Sequence, residues 1–327
     1  MKTFVLQPVD GNRIDYRPGQ FLTLVFHGRN GQEERRSYSI SSLPFDQSSL
    51  TITVKRVPNG TWSRILIDHT RVGDILETIG ASGFFTLPED LSGYRQLWFF
   101  AAGSGISPIL PLIRYALHTA PTTRILLVYS NRTPSDTIFL QQIRELENTM
   151  PDRFAVEWLF SGGDGPGQRR LSAAFLQQLW SGQMEEPGRV YCFLCGPFEY
   201  MRTITIVLLA QGLPASHIRK EQFVIGETDT RLTPPDTNRH IVEIAMDGQR
   251  FQLLVQYPET ILEAAKKAGV HLPYSCESGQ CGTCAAQCIS GKVWMRKNEV
   301  LLDEELIAGR VLTCTGFPVF GDVRLLL

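Results

Sequence analysis

The sequence predicts a multidomain chain built from three fold classes. An antiparallel β-barrel domain covers residues 1–95, an α/β domain with a parallel sheet covers 96–225, and a small α+β domain covers 240–327, after a linker at 226–239. Three observations carry this. Period-two alternation dominates the first block, so its strands have one buried and one open face. In the second block apolar runs alternate with amphipathic helical patterns, the signature of a parallel sheet with helices on both faces. In the third, a strand–turn–strand–helix pattern restarts after a polar, proline-bearing stretch.

Taken in order, F-L-T-L-V-F (Phe21–Phe26) and L-T-I-T-V-K-R-V (Leu50–Val57) read as barrel strands between Gly, Asn, Ser and Pro turns. L-W-F-F-A-A then leads into a helix from Pro108, R-I-L-L-V-Y-S into a helix around Phe139–Leu146, and V-Y-C-F-L-C into a helix from Phe198. The segment Gly226–Arg239 has no periodicity and reads as a linker. Beyond it lie H-I-V-E-I-A-M, a turn at Asp247–Gly248, Q-R-F-Q-L-L-V and the helix T-I-L-E-A-A-K-K-A-G.

The formal net charge of −1 argues against a nucleic acid or an anionic membrane held by bulk charge. Apolar runs such as Leu97–Ala102 and Ile204–Ala210 are too short to span a bilayer. With no targeting segment, the expected location is the cytoplasm, where thiols stay reduced.

Seven cysteines are present, and four of them have a diagnostic spacing. Y-S-C-E-S-G-Q-C-G-T-C supplies Cys276, Cys281 and Cys284, and L-T-C-T-G supplies Cys314. C-x4-C-x2-C with a distant fourth cysteine is the spacing of a plant-type ferredoxin loop around a 2Fe–2S cluster. Gly279 and Gly282 let such a loop wrap the sulfides without Cβ clashes. Disulfides fit poorly with an odd cysteine count, and a structural zinc site shows paired knuckles that are lacking here. Cys288 is expected to be core packing, and the Cys192/Cys195 pair to be buried thiols in an apolar strand rather than a redox dithiol.

Two other segments suit nucleotide cofactors. In R-S-Y-S-I-S-S, Arg36, Tyr38 and Ile40 share one strand face, and Ser37, Ser39 and Ser41 the other. A cation, an aromatic and a hydroxyl are what a flavin needs for its phosphate, its ring and its polar edge. The turn Pro58–Gly60 opens a helix whose N-terminus suits a pyrophosphate, with Ser63 adding a hydroxyl and Val54 on the preceding strand. A-A-G-S-G-I-S-P follows an apolar strand, and there Gly103, Gly105 and Pro108 suit a phosphate loop, although the proline departs from the usual dehydrogenase fingerprint. Arg132 and Asp136 follow the next strand, and Cys195, Gly196 and Pro197 end a later one, all at the carboxyl edge of the sheet where ligands bind.

With these motifs in order, the chain resembles the ferredoxin–NADP reductase superfamily, and within it the flavin–nicotinamide–2Fe–2S fusions that reduce bacterial oxygenases. The resemblance implies that Arg36, Tyr38 and Ser39 line the flavin, with Ser39 near its reactive edge. Gly60 and Ser63 brace a pyrophosphate, favouring FAD over FMN. Gly103, Gly105 and Pro108 hold the nicotinamide dinucleotide, and Cys195 lies beside its ring. Glu221 and Phe223 match a terminal acid and aromatic near the flavin, so that Ser39, Cys195 and Glu221 form the reacting set. Family members usually have a barrel strand before Thr3–Leu6, so a missing or substituted first strand is expected.

The implied activity is electron transfer from NADH or NADPH, through FAD and a 2Fe–2S cluster held by Cys276, Cys281, Cys284 and Cys314, to a separate redox protein. An oxygenase or hydroxylase is the expected acceptor. A hybrid-cluster protein or other metalloprotein is the alternative acceptor, and a ferredoxin-type carrier with an inactive reductase domain is the alternative function. Arg132, Arg169 and Arg170 are the candidate readers of a 2′-phosphate, and the reading favours NADH. No general base is needed, and the six histidines are expected on the surface or in loops. The rim around Glu277–Gln280 is the expected docking surface.

Overall fold

The protein was analysed as a computed structural model, which describes residues 1–28, 31–45, 50–57, 60–162, 169–183, 186–223 and 232–327. Two compact units result, Met1–Phe223 and Val224–Leu327.

The first unit begins with β1 (Lys2–Leu6), β2 (Phe21–His27), β3 (Glu33–Ser39), β4 (Leu50–Val54), α1 (Thr61–His69) and β5 (Glu77–Ser82). β2 pairs antiparallel with β3 and β5, and β1 pairs antiparallel with β4. A bridge from Ile40 to Ile52 seams the two sheets into a small barrel. Leu22, Leu24, Phe26, Ile40, Ile52 and Val54 turn inward and pack with Phe4 and Leu66, but β2 lacks the expected open face, since Phe21, Thr23 and Val25 are buried as well. The strand expected over Leu50–Val57 stops at Val54, and Arg56 instead forms a bidentate pair with Asp68 of α1. Pro58, in the expected turn, lies outside the described residues.

The same unit continues with β6 (Gln96–Ala102), α2 (Ile106–Thr119), β7 (Arg124–Asn131), α3 (Leu140–Thr149), β8 (Phe154–Phe160), α4 (Ala173–Gln183), β9 (Val190–Cys195), α5 (Phe198–Ala210) and β10 (Ile218–Glu221). All five strands are parallel, in the order β10–β9–β6–β7–β8. Chain order reverses between β6 and β9, so the ligand-binding crevice of such a sheet lies beyond their carboxyl ends.

The unbroken apolar runs follow from burial on both faces. Leu97, Phe99 and Ala101 join the core beneath α2 and α3, whereas Trp98 and Phe100 join the core beneath α4 and α5. Phe99 stacks on Phe193 at 5.1 Å, and Trp98 meets Trp180 edge-on at 5.3 Å. Truncating any one of these rings would cost about 3–5 kcal/mol.

Two helix starts differ from expectation. α2 begins at Ile106 rather than Pro108, because the 3-10 turn Gly103–Gly105 has already wound the chain. Pro108 then occupies the third helical position, where its missing N–H costs nothing. α3 begins at Leu140 because Phe139 takes a left-handed φ of 58°.

The second unit contains β11 (His240–Met246), β12 (Gln249–Val255), α6 (Ile261–Lys267), β13 (Ala285–Ser290), β14 (Val293–Met295), α7 (Asp303–Ile307), β15 (Arg310–Leu312), β16 (Gly316–Pro318) and β17 (Val323–Leu326). Five strands form a mixed sheet in the order β12–β11–β17–β13–β15, and β14 pairs with β16. α6 starts at a capping box of Thr260 and Glu263 and buries Ile261, Leu262, Ala264 and Ala265. The end of the expected linker is anchored rather than free: Pro234 is buried, and the Asp236 carboxylate accepts from the Phe320 amide at 2.7 Å. His240 also reaches Asp236 at 2.7 Å, with only 12% of its side chain exposed, so it is not the surface residue expected from the sequence.

Gly105 gives the sharpest test of this packing. A Cβ there would lie 2.0 Å from the Cys195 carbonyl oxygen, whereas Gly182 on α4 has open space around it. Gly105→Ala should therefore lower the melting temperature, with a cost of about 1–3 kcal/mol or more from overpacking. Gly182→Ala should be neutral or stabilising by up to about 1 kcal/mol. Thermal melts of both variants check this.

Candidate functional site

The carboxyl edge of the parallel sheet gathers several of the expected residues. Gly103 has a φ of 54° and turns the chain out of β6. Gly105 lies against the end of β9, where its absent Cβ would also come within 3.2 Å of the Cys195 sulfur. The Gly103–Gly105 turn and the cysteine thus occupy one place, and only a residue without a side chain allows it. Gly196 is similarly close, since a Cβ there would meet Ala102 and Tyr200 at 3.0 Å. Pro197 caps α5.

Two tyrosines that the sequence reading did not single out fix this turn. The Tyr129 hydroxyl donates to the Gly103 carbonyl at 3.0 Å, and the Tyr200 hydroxyl to the Ala101 carbonyl at 3.1 Å. Burial raises both phenols well above their ordinary pKa. For Tyr129 the available signal was a tyrosine within an apolar strand, whose hydroxyl must find a partner when buried.

Beyond the edge, β10 runs beside β9 and sets Glu221 opposite Cys195. Ser39, at the end of barrel strand β3, donates its hydroxyl to the Glu221 carboxylate at 3.4 Å. This bond brings the expected barrel residue and the expected terminal acid together. Burial pushes the Glu221 carboxyl up to about 8, opposed by the Ser39 hydrogen bond. Cys195 is fully buried, and burial together with the nearby Glu221 raises its thiol far above the usual range. Phe223, just past β10, is 47% exposed.

The rest of the barrel set is more dispersed. Tyr38 packs against the barrel core, and its hydroxyl is pushed up to about 12 by burial. Arg36 is held by Glu34 at 2.6 Å, and Trp62 donates to the same carboxylate oxygen at 2.9 Å. Ser63 is buried, and its hydroxyl accepts from the Val57 amide at 3.2 Å, so it braces the turn before α1 from inside. Gly60 is the N-cap of α1, whose first turn carries no acidic residue. Val54 is enclosed in the barrel core. Arg132 and Asp136 are exposed just past β7, with Thr133 donating its hydroxyl to Asp136 at 2.8 Å. Arg169 pairs with Glu157 at 3.6 Å and lies over the Phe175 ring.

In the second unit the four cysteines sit in the loop between α6 and β13 and in the turn after β15. Their thiols associate two by two: Cys276 with Cys281, and Cys284 with Cys314. Among the described residues no three Cys, His, Asp or Glu side chains converge on a single ion. Two thiols for each of two irons is the donor set that a 2Fe–2S cluster takes. Backbone amides of Ser278 and Gln280 point at Cys276, that of Thr283 at Cys281, and that of Gly279 at Cys314. Such a cradle of N–H groups favours sulfur carrying negative charge. Gly279, at φ 73°, leaves no room for a Cβ, which would lie 2.5 Å from the Lys297 carbonyl. The loop therefore fits the cluster.

Two expectations about this loop are corrected. Ser278, Gly279 and Gln280 are buried, so the open side is formed by Cys276, Glu277, Cys281 and Thr283 instead. Cys288 is only half-buried on β13 and donates weakly to the Ser290 carbonyl at 3.5 Å, so it is not core packing. Cys192 is fully buried, as an apolar strand requires.

A family model described as an oxidoreductase FAD-binding domain matches residues 1–87, and an oxidoreductase NAD-binding domain matches 99–205. A 2Fe-2S iron-sulfur cluster binding domain matches 244–319. The chain is 32% identical to the ferredoxin reductase component of 3-ketosteroid-9-alpha-monooxygenase from Rhodococcus rhodochrous, over 96% of this chain and 88% of that protein. It is 33% identical to one component of the 1,2-phenylacetyl-CoA epoxidase of Escherichia coli strain K12, over 94% of this chain and 87% of that one. Among solved structures, phthalate dioxygenase reductase aligns with a TM-score of 0.59 at 26% identity, covering 99% of this chain and 92% of its own. The chain therefore belongs to the family of flavin- and nicotinamide-dependent oxidoreductases that carry FAD-binding, NAD-binding and 2Fe–2S domains in one polypeptide, the family of the oxygenase reductase components.

Proposed function

We propose that this protein draws electron pairs from NADH and delivers them singly to a separate oxygenase or hydroxylase component. The observation that carries the reading is the Ser39–Glu221 hydrogen bond, which joins the end of a barrel strand to the crevice of the parallel sheet. A flavin on the barrel and a nicotinamide in the crevice would meet there. Bound flavin turns a hydride's two electrons into single ones, and a plant-type cluster accepts one at a time at about −400 mV.

The chain's own residues bind, orient and insulate. The Gly103–Gly105 turn and the N-terminus of α2 offer amides to the dinucleotide phosphates, and Tyr129 and Tyr200 keep that turn in place. Gly60 and the first turn of α1 offer amides to the FAD pyrophosphate, with Ser63 holding the turn from behind. Arg36 and Tyr38 flank the flavin strand, and Phe223 supplies an exposed ring to cover it. Glu221 keeps its proton near neutral pH because its surroundings disfavour charge, and Ser39 orients it. Cys195 offers a protonated, apolar sulfur beside the nicotinamide. Cys276, Cys281, Cys284 and Cys314 hold the cluster.

Preference for NADH is supported by two features, although the exposed Arg132 and Arg170 would favour a 2′-phosphate. Arg169 is already engaged by Glu157, and the exposed Asp136 carboxylate after β7 would repel a 2′-phosphate. Reduced thiols and the partners of the relatives suit the cytoplasm. Among the described residues no helix is long and apolar enough to cross a membrane.

Purified, reconstituted protein should show flavin and iron–sulfur absorbance that bleaches on anaerobic NADH. Bleaching of neither chromophore would sink the proposal. A cluster that bleaches with a chemical reductant but not with NADH would leave a carrier with an inactive reductase half. Cys284→Ser should lose the cluster's visible absorbance and Cys288→Ser should keep it; equal loss in both would overturn the ligand assignment.

Glu221 generates a pH prediction. Its folded pKa of about 8 exceeds the ordinary 4.5, so between these values the folded state holds a proton that the unfolded chain has lost. Stability should fall as pH rises across that window. Melting temperature followed from pH 5 to 8 should decline less in Glu221→Gln than in the parent. Identical slopes would show that Glu221 is not held protonated.

A further inference from the structure

We propose that Glu34 makes the barrel select FAD over FMN, by holding a carboxylate beside the arginine that meets the flavin's phosphate. The inference rests on the reading of the barrel as the flavin site, in which Arg36 and the first turn of α1 take the phosphate. Arg36 Nη2 donates to Glu34 Oε2 at 2.6 Å, and Trp62 Nε1 donates to the same oxygen at 2.9 Å. Trp62 is the second residue of α1. The carboxylate therefore bridges the strand cation and the helix start, the two elements that reading assigns to the phosphate. Arg36 is held further by the Arg35 carbonyl, to which its Nη1 donates at 2.7 Å.

Glu34 is fixed in this place from two sides. Phe26 lies opposite it in the β2–β3 ladder, and the Trp62 ring stacks on Phe26 at 4.5 Å, which sets the direction of the indole N–H. The other arginines of this part of the barrel have carboxylates of their own. Arg35 pairs with Glu33, and Arg56 pairs with Asp68 near the end of α1, whose carboxyl Arg64 also helps to lower. The charge of Glu34 thus acts on whatever approaches Arg36. A phosphate monoester, the end of FMN, carries about −1.5 to −2 near neutral pH. Each phosphoryl of a pyrophosphate diester, as in FAD, carries a single charge. A fixed carboxylate repels the first more strongly than the second. Selectivity then arises by disfavouring the competitor, at some cost in affinity for both. The pair is half-exposed, with 46% and 42% of the two side chains open, and pairs of that kind add little to folding stability, so the carboxylate can be neutralised without loss of the fold.

The test is a titration of the full-length protein, stripped of flavin, with riboflavin, FMN and FAD, followed by flavin fluorescence. The parent should bind FAD more tightly than FMN. Glu34→Gln keeps an acceptor for Trp62 and Arg36 and removes the charge. It should bind FMN several-fold more tightly than the parent does, gain less for FAD and leave riboflavin, which has no phosphate, unchanged. A parent without preference, or an unchanged FAD-to-FMN ratio in Glu34→Gln, would overturn the proposal. So would an equal gain for all three flavins, which would trace the effect to the ring pocket, or a loss of FAD affinity, which would make Glu34 a direct contact of FAD. If Glu34→Gln does not fold, Glu34→Thr is read in its place; failure of both assigns Glu34 to the fold and overturns its selective role. A parent that binds none of the three flavins would instead defeat the flavin-site reading itself.

Discussion

Hydride transfer requires two rings in contact, and that contact needs a floor with no side chain rising from it. The rest of the first unit is arranged around that constraint. Gly105 lies so close to the end of β9 that a single methyl would overlap the Cys195 carbonyl. The entry to the turn cannot relax away, because Tyr129 and Tyr200 hold the Gly103 and Ala101 carbonyls from opposite faces of the sheet. Those tyrosines can do so only because the five parallel strands are buried on both faces, which explains the uninterrupted apolar runs. The barrel then needs one point of attachment to this edge, and Ser39 meeting Glu221 supplies it.

The second unit solves a different problem. Four thiols repel one another once deprotonated, and a loop that gathers them must offset that repulsion. Backbone amides directed at Cys276, Cys281 and Cys314 do so without cationic side chains. The loop is fixed from outside. Gly279 is pressed against the Lys297 carbonyl, the Glu299 amide donates to the Gly279 carbonyl, and Lys266 pairs with Glu277 at 2.7 Å. Rigidity at this site keeps the sulfurs near the geometry that iron requires.

Much of this was legible in the sequence, for physical reasons that differ from element to element. The cysteine spacing points to a cluster loop because three thiols on one short loop, joined by a fourth from the turn after β15, have few other uses. Period-two and helical patterns identified the barrel strands other than β5 and the α/β elements other than β8 and α4, since burial on one face or two leaves a direct imprint on residue choice. What escaped detection depends on distant neighbours. Nothing local to Tyr129 or Tyr200 says which carbonyl each will reach. Ser63 reads as a hydroxyl open to a ligand, but the tight turn at Gly60 folds it inward. His240 reads as a surface residue, yet Asp236 and the Phe320 segment enclose it. Cys288 sits on a strand whose pairing shifts register beside it, which leaves it half-open where regular alternation suggests burial.

The central claim is that electron pairs enter at the sheet edge of the first unit and leave singly from the thiol-bound cluster of the second. Anaerobic rapid mixing with limiting NADH, followed optically and by freeze-quench electron paramagnetic resonance, tests it most directly. The account predicts that flavin absorbance falls first and that the signal of a reduced 2Fe–2S centre grows afterwards at the flavin's expense. A reduced-cluster signal in flavin-free protein, or a fully reduced flavin beside a cluster that never changes, would contradict it.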